Sequence, residues 1–281
     1  KSSLDQLHLK IYEHVKSLAE EYEGPPSKEL ADYKKEFIQN SKRDFRESTF
    51  KELIHSITNS NIILLGDFHT FDQSTRNFER LIKTYTSDKD QRLAIGLEMV
   101  GSDHQHTVDA FITNEITEIE FLEAIQYCDS WRFPWNHYLP LFLLAKERRL
   151  DIIALNSSGS ISQRDTKAAE IISKYRQINK NSLILVLFGE LHLSPTKLPA
   201  LINQAMPNDK IVVIHQNIDE VYWKQKKKDG NSPIIAFSEN EYSLQSSPPW
   251  IKYESMVYWF ENLCEDPEFD IHNYILKENL Y

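Results

Sequence analysis

The chain has 281 residues, 41% of them hydrophobic and 26% charged, with a formal net charge of −10. This length and apolar content exclude global disorder and suffice for a buried core, while the acidic balance removes the electrostatic drive of a nucleic-acid binder. The longest apolar run is strand-sized, so no membrane-spanning helix is expected. Cys128 and Cys264 lie outside any CxxC pattern and read as buried thiols, not as a disulfide framework or a haem-attachment motif.

The chain opens on Lys1-Ser2-Ser3 and not on Met, so a removed upstream segment is expected. If that segment was a lipoprotein-like leader, the bacterial cell envelope is the expected compartment; otherwise it is the cytoplasm. Leu4, Leu7, Ile11, Val15 and Leu18 form one helical stripe, stopped by Gly24-Pro25-Pro26. A second, polar helical region follows. Phe50, Leu53, Ile54 and Ile57 then give a short amphipathic turn that Asn59-Ser60-Asn61 breaks.

Five wholly apolar runs come next: Ile62-Ile63-Leu64-Leu65, Leu93-Ala94-Ile95-Gly96-Leu97, Ile152-Ile153-Ala154-Leu155, Leu183-Ile184-Leu185-Val186-Leu187-Phe188 and Ile211-Val212-Val213-Ile214. Continuous apolar runs suit strands covered on both faces. The segments between them carry helical spacing, as at Ala168, Ile171, Ile172 and Tyr175, which implies βαβ units. Val221-Tyr222-Trp223 and Pro233-Ile234-Ile235-Ala236-Phe237 flank a Lys-rich turn and read as an antiparallel hairpin. Pro248-Pro249 introduces an aromatic helix with Tyr253, Met256, Tyr258, Trp259 and Phe260. The expected fold is α/β: a central, mainly parallel sheet flanked by helices, with a C-terminal hairpin and helix. It is read as one domain, with a helical extension at 1–60, a site-bearing core at 61–216 and the hairpin and last helices at 217–281.

Ligands of open α/β sheets bind beyond the carboxyl ends of the strands. The first and fourth runs end in the same Gly-acid-x-His pattern, Gly66-Asp67-Phe68-His69 and Gly189-Glu190-Leu191-His192. In each, glycine lets the backbone turn and histidine swings over the sheet edge. Glu98 follows the second run, Asn156 the third and His215 the fifth. Parallel pairing would gather these imidazoles and carboxylates in one place. Histidine supplies a metal ligand or a base near neutral pH, and imidazole with carboxylate suits zinc, iron or manganese.

Bland alternatives stand beside each. One such histidine alone reads as capping or core; the pair reads as functional. Glu98 could cap a following helix. His215 and Asn156 are evenly balanced, and His104 and His106 read as solvated. Arg164 could clamp a carboxylate or phosphate, or lie at the surface. The aromatic stretch holding Trp131, Arg132, Phe133, Trp135, His137 and Tyr138 reads as core or as the wall of an apolar pocket, with His137 and Tyr138 as polar or axial contacts. No HExxH, GxSxG, Walker or GxGxxG pattern occurs.

Gly66-Asp67-Phe68-His69, Gln73, Gly96-Leu97-Glu98-Met99, Val108-Asp109-Ala110-Phe111, the run from Trp135 to Tyr138, Ala154-Leu155-Asn156 and Gly189-Glu190-Leu191-His192 occur in this order. Together they resemble the ChaN-like haem-binding family, in a superfamily with Tiki metalloproteases, TraB-like proteins and erythromycin esterases. The resemblance runs from about residue 61 to 215. It implies a largely parallel α/β fold and a site on His69, His192, Glu98 and Arg164. Asp67 stands where the family commonly has glutamate, and the resemblance does not map the family's haem-ligating tyrosine onto a position of this sequence.

The first reading is a ChaN-like haem- or iron-binding protein, with a role in uptake, a small-molecule or haem partner, and a homodimeric state. Its cofactor contacts are expected from His69, His192, Tyr138 and His137. A second reading is a metal-dependent hydrolase: His69, Glu98 and His192 hold a divalent transition metal, Asp67 or Glu190 takes a proton from bound water, and Arg164 stabilises developing charge. A third is a metal-free esterase in which histidine and glutamate activate water directly, and a fourth a non-catalytic binding module.

Overall fold

A computed structural model describes residues 3–86, 92–228 and 230–264. In chain order the elements are α1 (Ser3–Glu23), α2 (Lys28–Ser41), β1 (Arg46–Glu47), α3 (Phe50–Thr58), β2 (Ile62–Asp67), α4 (Asp72–Thr86) and β3 (Leu93–Gly101). They continue with α5 (Gln105–Ile112), α6 (Glu118–Ala124), α7 (Tyr127–Ser130), α8 (Trp135–Arg148), β4 (Asp151–Asn156), α9 (Ile161–Ile178) and β5 (Leu183–Gly189). A 3-10 turn (Glu190–Leu193) precedes α10 (Leu198–Ala205), β6 (Ile211–Gln216), α11 (Asp219–Lys227), β7 (Ile234–Ser238), β8 (Glu241–Leu244) and α12 (Pro249–Trp259).

The strands form one sheet in the order β1-β7-β8-β6-β2-β5-β3-β4. From β8 to β4 every pairing is parallel; β7 pairs antiparallel with β8 and with β1. The expected α/β architecture is therefore present, and its five apolar runs are the neighbouring strands β6, β2, β5, β3 and β4. Their side chains alternate between two cores, as a period of two requires. Ile63, Leu65, Ile95, Leu97, Leu185 and Leu187 face α4, α5 and α8. Ile62, Leu64, Ala94, Ile184, Val186 and Phe188 face α9 and α10. Helices cover both faces, which is why neither face of these strands reads as polar.

Three expectations are corrected. The segment with Val221, Tyr222 and Trp223 is helix α11, not a strand. Asp219 and Glu220 occupy its first turn and Lys224, Lys226 and Lys227 its last, the arrangement that complements a helix dipole. The edge hairpin forms instead between β7 and β8. Cys128 and Cys264 are not joined in a disulfide, and both are only half-buried, not buried as expected. Residue 229 of the Lys-rich segment, and 265–281 of the tail, lie outside the described residues. Among the described residues no helix is long and apolar enough to cross a membrane.

Candidate functional site

The register fixes where the polar strand ends meet. Asp67 on β2 lies opposite Gly189 on β5, and Leu97 on β3 lies opposite Leu187 on β5. Glu98 is thus one step below Gly189 on the adjacent strand. Between Leu97 and Gly101 the pairing of β3 with β4 shifts, because four steps on β3 match two on β4, from Ala154 to Asn156. Such a bulge re-aims a side chain at a strand end. Here it leaves Glu98 in the extended strand, 3% exposed. Glu98 is therefore not the cap of a following helix.

Glu98 is the hub. Its Oε1 pairs with Arg164 Nη2, and its Oε2 accepts the Gly189 N–H at 2.6 Å. His192 Nε2 is 3.8 Å from Oε1, and His69 Nε2 is 4.0 Å from Oε2. The residues expected from sequence to form the centre are thus brought together around one carboxylate. Burial opposes its charge, but His192, His69, Arg164 and the Gly189 N–H outweigh burial and hold Glu98 below the usual carboxylate range.

Each imidazole is oriented by a carboxylate of its own. His69 Nδ1 bonds Asp67 Oδ2 at 2.9 Å, and His192 Nδ1 bonds Asp165 Oδ1. A carboxylate can only accept here, so each ring carries a proton on Nδ1 and turns Nε2 to Glu98. Each carboxylate also receives a phenol: Tyr138 donates to Asp67 Oδ2 at 2.9 Å, and Tyr33 donates to Asp165 Oδ2 at 2.8 Å. Two Tyr–Asp–His relays therefore converge on Glu98, one near each carboxylate oxygen. Burial opposes the charge on His69, yet Asp67 and Glu98 outweigh it and hold the imidazole above its usual range. Its side chain is 24% exposed against 10% for His192, so His69 is the open side of the centre.

The glycines act by close approach, not by turning the chain. Neither Gly66 nor Gly189 has a positive φ. A Cβ on Gly189 would lie 3.1 Å from Glu98 Oε2, 3.1 Å from His192 Cδ2 and 3.5 Å from His69 Nε2. A Cβ on Gly66 would lie 1.6 Å from Glu190 Oε2. Glu190 itself faces away from the centre. It pairs with His215 Nδ1 at 2.7 Å, and His215 Nε2 lies 3.2 Å from Glu241 Oε1. Glu241 in turn holds Arg43. Glu190 and His215 thus form a second buried network and do not join His69, Glu98 and His192.

Of the remaining expected residues, Arg164 is no surface arginine: it holds Glu98, and its Nε donates to Asn156 Oδ1 at 3.1 Å. Tyr138 does not suit axial ligation of a haem, because it is 1% exposed and its phenol is engaged by Asp67. Burial and the Asp67 charge also raise its pKa well above that of free tyrosine. His137 has a buried Nδ1 without a partner, and burial holds its imidazole below the usual range. His104 is half-buried and His106 exposed. Among the described residues no group of three or more His, Cys, Asp or Glu is placed to hold a metal ion. Asp165 and Tyr33 were not singled out from sequence. Asp165 follows Arg164 in α9, just past the first turn that the Ser160 capping box opens, and that adjacency was the available signal.

An aromatic flank lies against the open side. Trp131 and Phe133 contact the His69 ring at 4.5 and 4.9 Å between centroids, and Trp259 of α12 packs on Phe133 at 4.8 Å.

Fold and centre together define an α/β protein with a His–Glu–His cluster at the carboxyl ends of its strands. Residues 53–164 match the family model described as haem-binding uptake, Tiki superfamily, ChaN. Among solved structures, the chain is similar to haem-bound ChaN of Campylobacter jejuni, described as cofacial heme binding. The identity is 19%, the coverage 62% of this chain and 88% of that one, and the TM-score 0.45. It is also similar to the type III effector HopBA1, at 9% identity, with 73% and 97% coverage and a TM-score of 0.48. No curated protein matches the chain.

Proposed function

We propose that the strand ends form a hydrolytic acid–base centre that acts on carboxylic esters without a metal. One observation carries this reading: two imidazoles, each oriented through Nδ1 by its own buried carboxylate, present both Nε2 atoms to one ionised glutamate. Orientation of a base by a third group is the logic of an activated hydrolytic site. His192, when neutral, has a bare Nε2 and takes a proton from water as the water oxygen bonds the ester carbonyl carbon. Arg164 faces the negative charge that develops on the carbonyl oxygen. Asp67 and Glu98 hold His69 above its usual range, which favours its protonated form as the acid. It gives its Nε2 proton to the leaving alcohol as the carbon–oxygen bond breaks. Glu98, between the two rings, returns the proton from His192 to His69.

The test is hydrolysis of p-nitrophenyl acetate by the full chain with and without chelator. Turnover that survives chelator and drops on the order of 100-fold in Glu98→Gln and His192→Ala is expected. No turnover above buffer, or turnover indifferent to both changes, refutes the reading.

A second reading, haem binding, is favoured by the aromatic flank of Trp131, Phe133 and Trp259 and by the family match. His69, the exposed imidazole under that flank, would be the axial ligand in place of Tyr138 or His137. Haemin titration distinguishes it: a Soret shift in wild type that His69→Ala abolishes supports binding, and an unshifted band opposes it.

A further inference from the structure

The His192 half of the centre depends on a helix outside the segment that matches the family model. Tyr33 sits on α2, 132 residues before the Asp165 it bonds. It is 4% exposed, and its partner Asp165 is 1% exposed. Both oxygens of Asp165 are committed, Oδ2 to Tyr33 and Oδ1 to His192. A buried carboxylate that loses one donor loses the orientation of the other. Tyr33 also packs edge-on against the His192 ring at 5.7 Å between centroids, and Phe188 packs on it at 4.9 Å.

Helix α2 is fastened around this contact. Glu29 accepts the N–H groups of Ile161 and Ser162 at 3.0 and 2.9 Å, capping the helix that carries Arg164 and Asp165. Glu36 pairs with Lys197 at 3.0 Å, just beyond the turn that carries His192. The Lys197 ammonium lies 4.3 Å over the Tyr33 ring. One helix thus ties α9 to the His192 turn and sets its phenol between them.

We propose that Tyr33 is a positioning residue of the centre: its hydrogen bond holds Asp165 so that His192 keeps its proton on Nδ1 and its Nε2 on Glu98, as Tyr138 does for His69 through Asp67. The kinetic arm of the test rests on the acid–base reading above; the spectroscopic arm does not.

The experiment is proton–nitrogen NMR of the full chain, reading the downfield Nδ1–H resonance of His192, assigned by its loss in Asp165→Asn. In Tyr33→Phe, which keeps the ring and its packing, exchange of that proton with water is expected to quicken about ten-fold, the scale of one lost hydrogen bond. The His69 resonance stays unchanged, and kcat for the ester falls roughly ten-fold at constant KM. Glu29→Gln loosens α2 without removing the phenol and is expected to quicken the same exchange by roughly two- to three-fold. Unchanged exchange in both variants overturns the proposal. Quickened exchange in a protein that hydrolyses no ester supports the role of Tyr33 and sinks the hydrolytic reading.

Discussion

Raising the pH should unfasten the network beneath Gly66. His215 is 3% exposed, between Glu190 at 2.7 Å and Glu241 at 3.2 Å, with Phe37 and Phe237 packed edge-on against its ring. Burial lowers its pKa, but the bonds and charges of Glu190 and Glu241 outweigh burial and hold it at about 9, against 6.5 in a free imidazole. The folded state therefore binds the proton more tightly than the unfolded state. Its contribution is complete below pH 6.5 and is lost as pH rises through 9. A gap of about 2.5 units at 1.36 kcal/mol per unit gives about 3 kcal/mol. The assay is urea unfolding at pH 6 and pH 10, comparing wild type with His215→Gln. Wild type should lose about 3 kcal/mol between the two pH values beyond what the variant loses. Equal losses in the two proteins would refute a charged His215 between two carboxylates. On the acid side the same network predicts a second limb. Glu241, held at about 2 against burial by His215 and Arg43, contributes stability above pH 4.5 that disappears as pH falls towards 2.

Three further outcomes follow from the centre and the core. His69 is held above its usual range, so the alkaline limb of kcat/KM for ester hydrolysis should lie above pH 6.5, and Asp67→Asn should move it to lower pH; a limb that ignores Asp67 contradicts the assignment of His69 as the acid. Gly189→Ala sets a methyl group 3.1 Å from Glu98 Oε2 and from His192 Cδ2, and should cut kcat on the order of ten-fold while urea unfolding shows a loss of about 1–3 kcal/mol. Phe121 is fully buried among Phe111, Phe142 and Trp135, so Phe121→Ala should cost about 3–5 kcal/mol of unfolding free energy.

Hydrophobic runs without alternation identified β2, β3, β4, β5 and β6, because strands covered on both faces show no polar side. The hairpin was misplaced because Val221, Tyr222 and Trp223 carry β-favouring side chains, while the charges that stabilise α11 act only once it is a helix. Glu190 read as the counterpart of Asp67 because both precede a histidine by two residues. Yet Asp67 ends a strand whereas Glu190 opens a 3-10 turn, and the two carboxylates point to different networks.

Periodicity is a local property, so the sequence by itself determined the α/β class, the parallel core and the strand-end placement of His69, Glu98 and His192. Which carboxylate orients which ring is a matter of pairing across the chain. Only the tertiary structure could put Tyr33 against Asp165, Arg164 against Glu98 and His215 between Glu190 and Glu241, because each contact joins elements whose separation in sequence leaves no spacing to read.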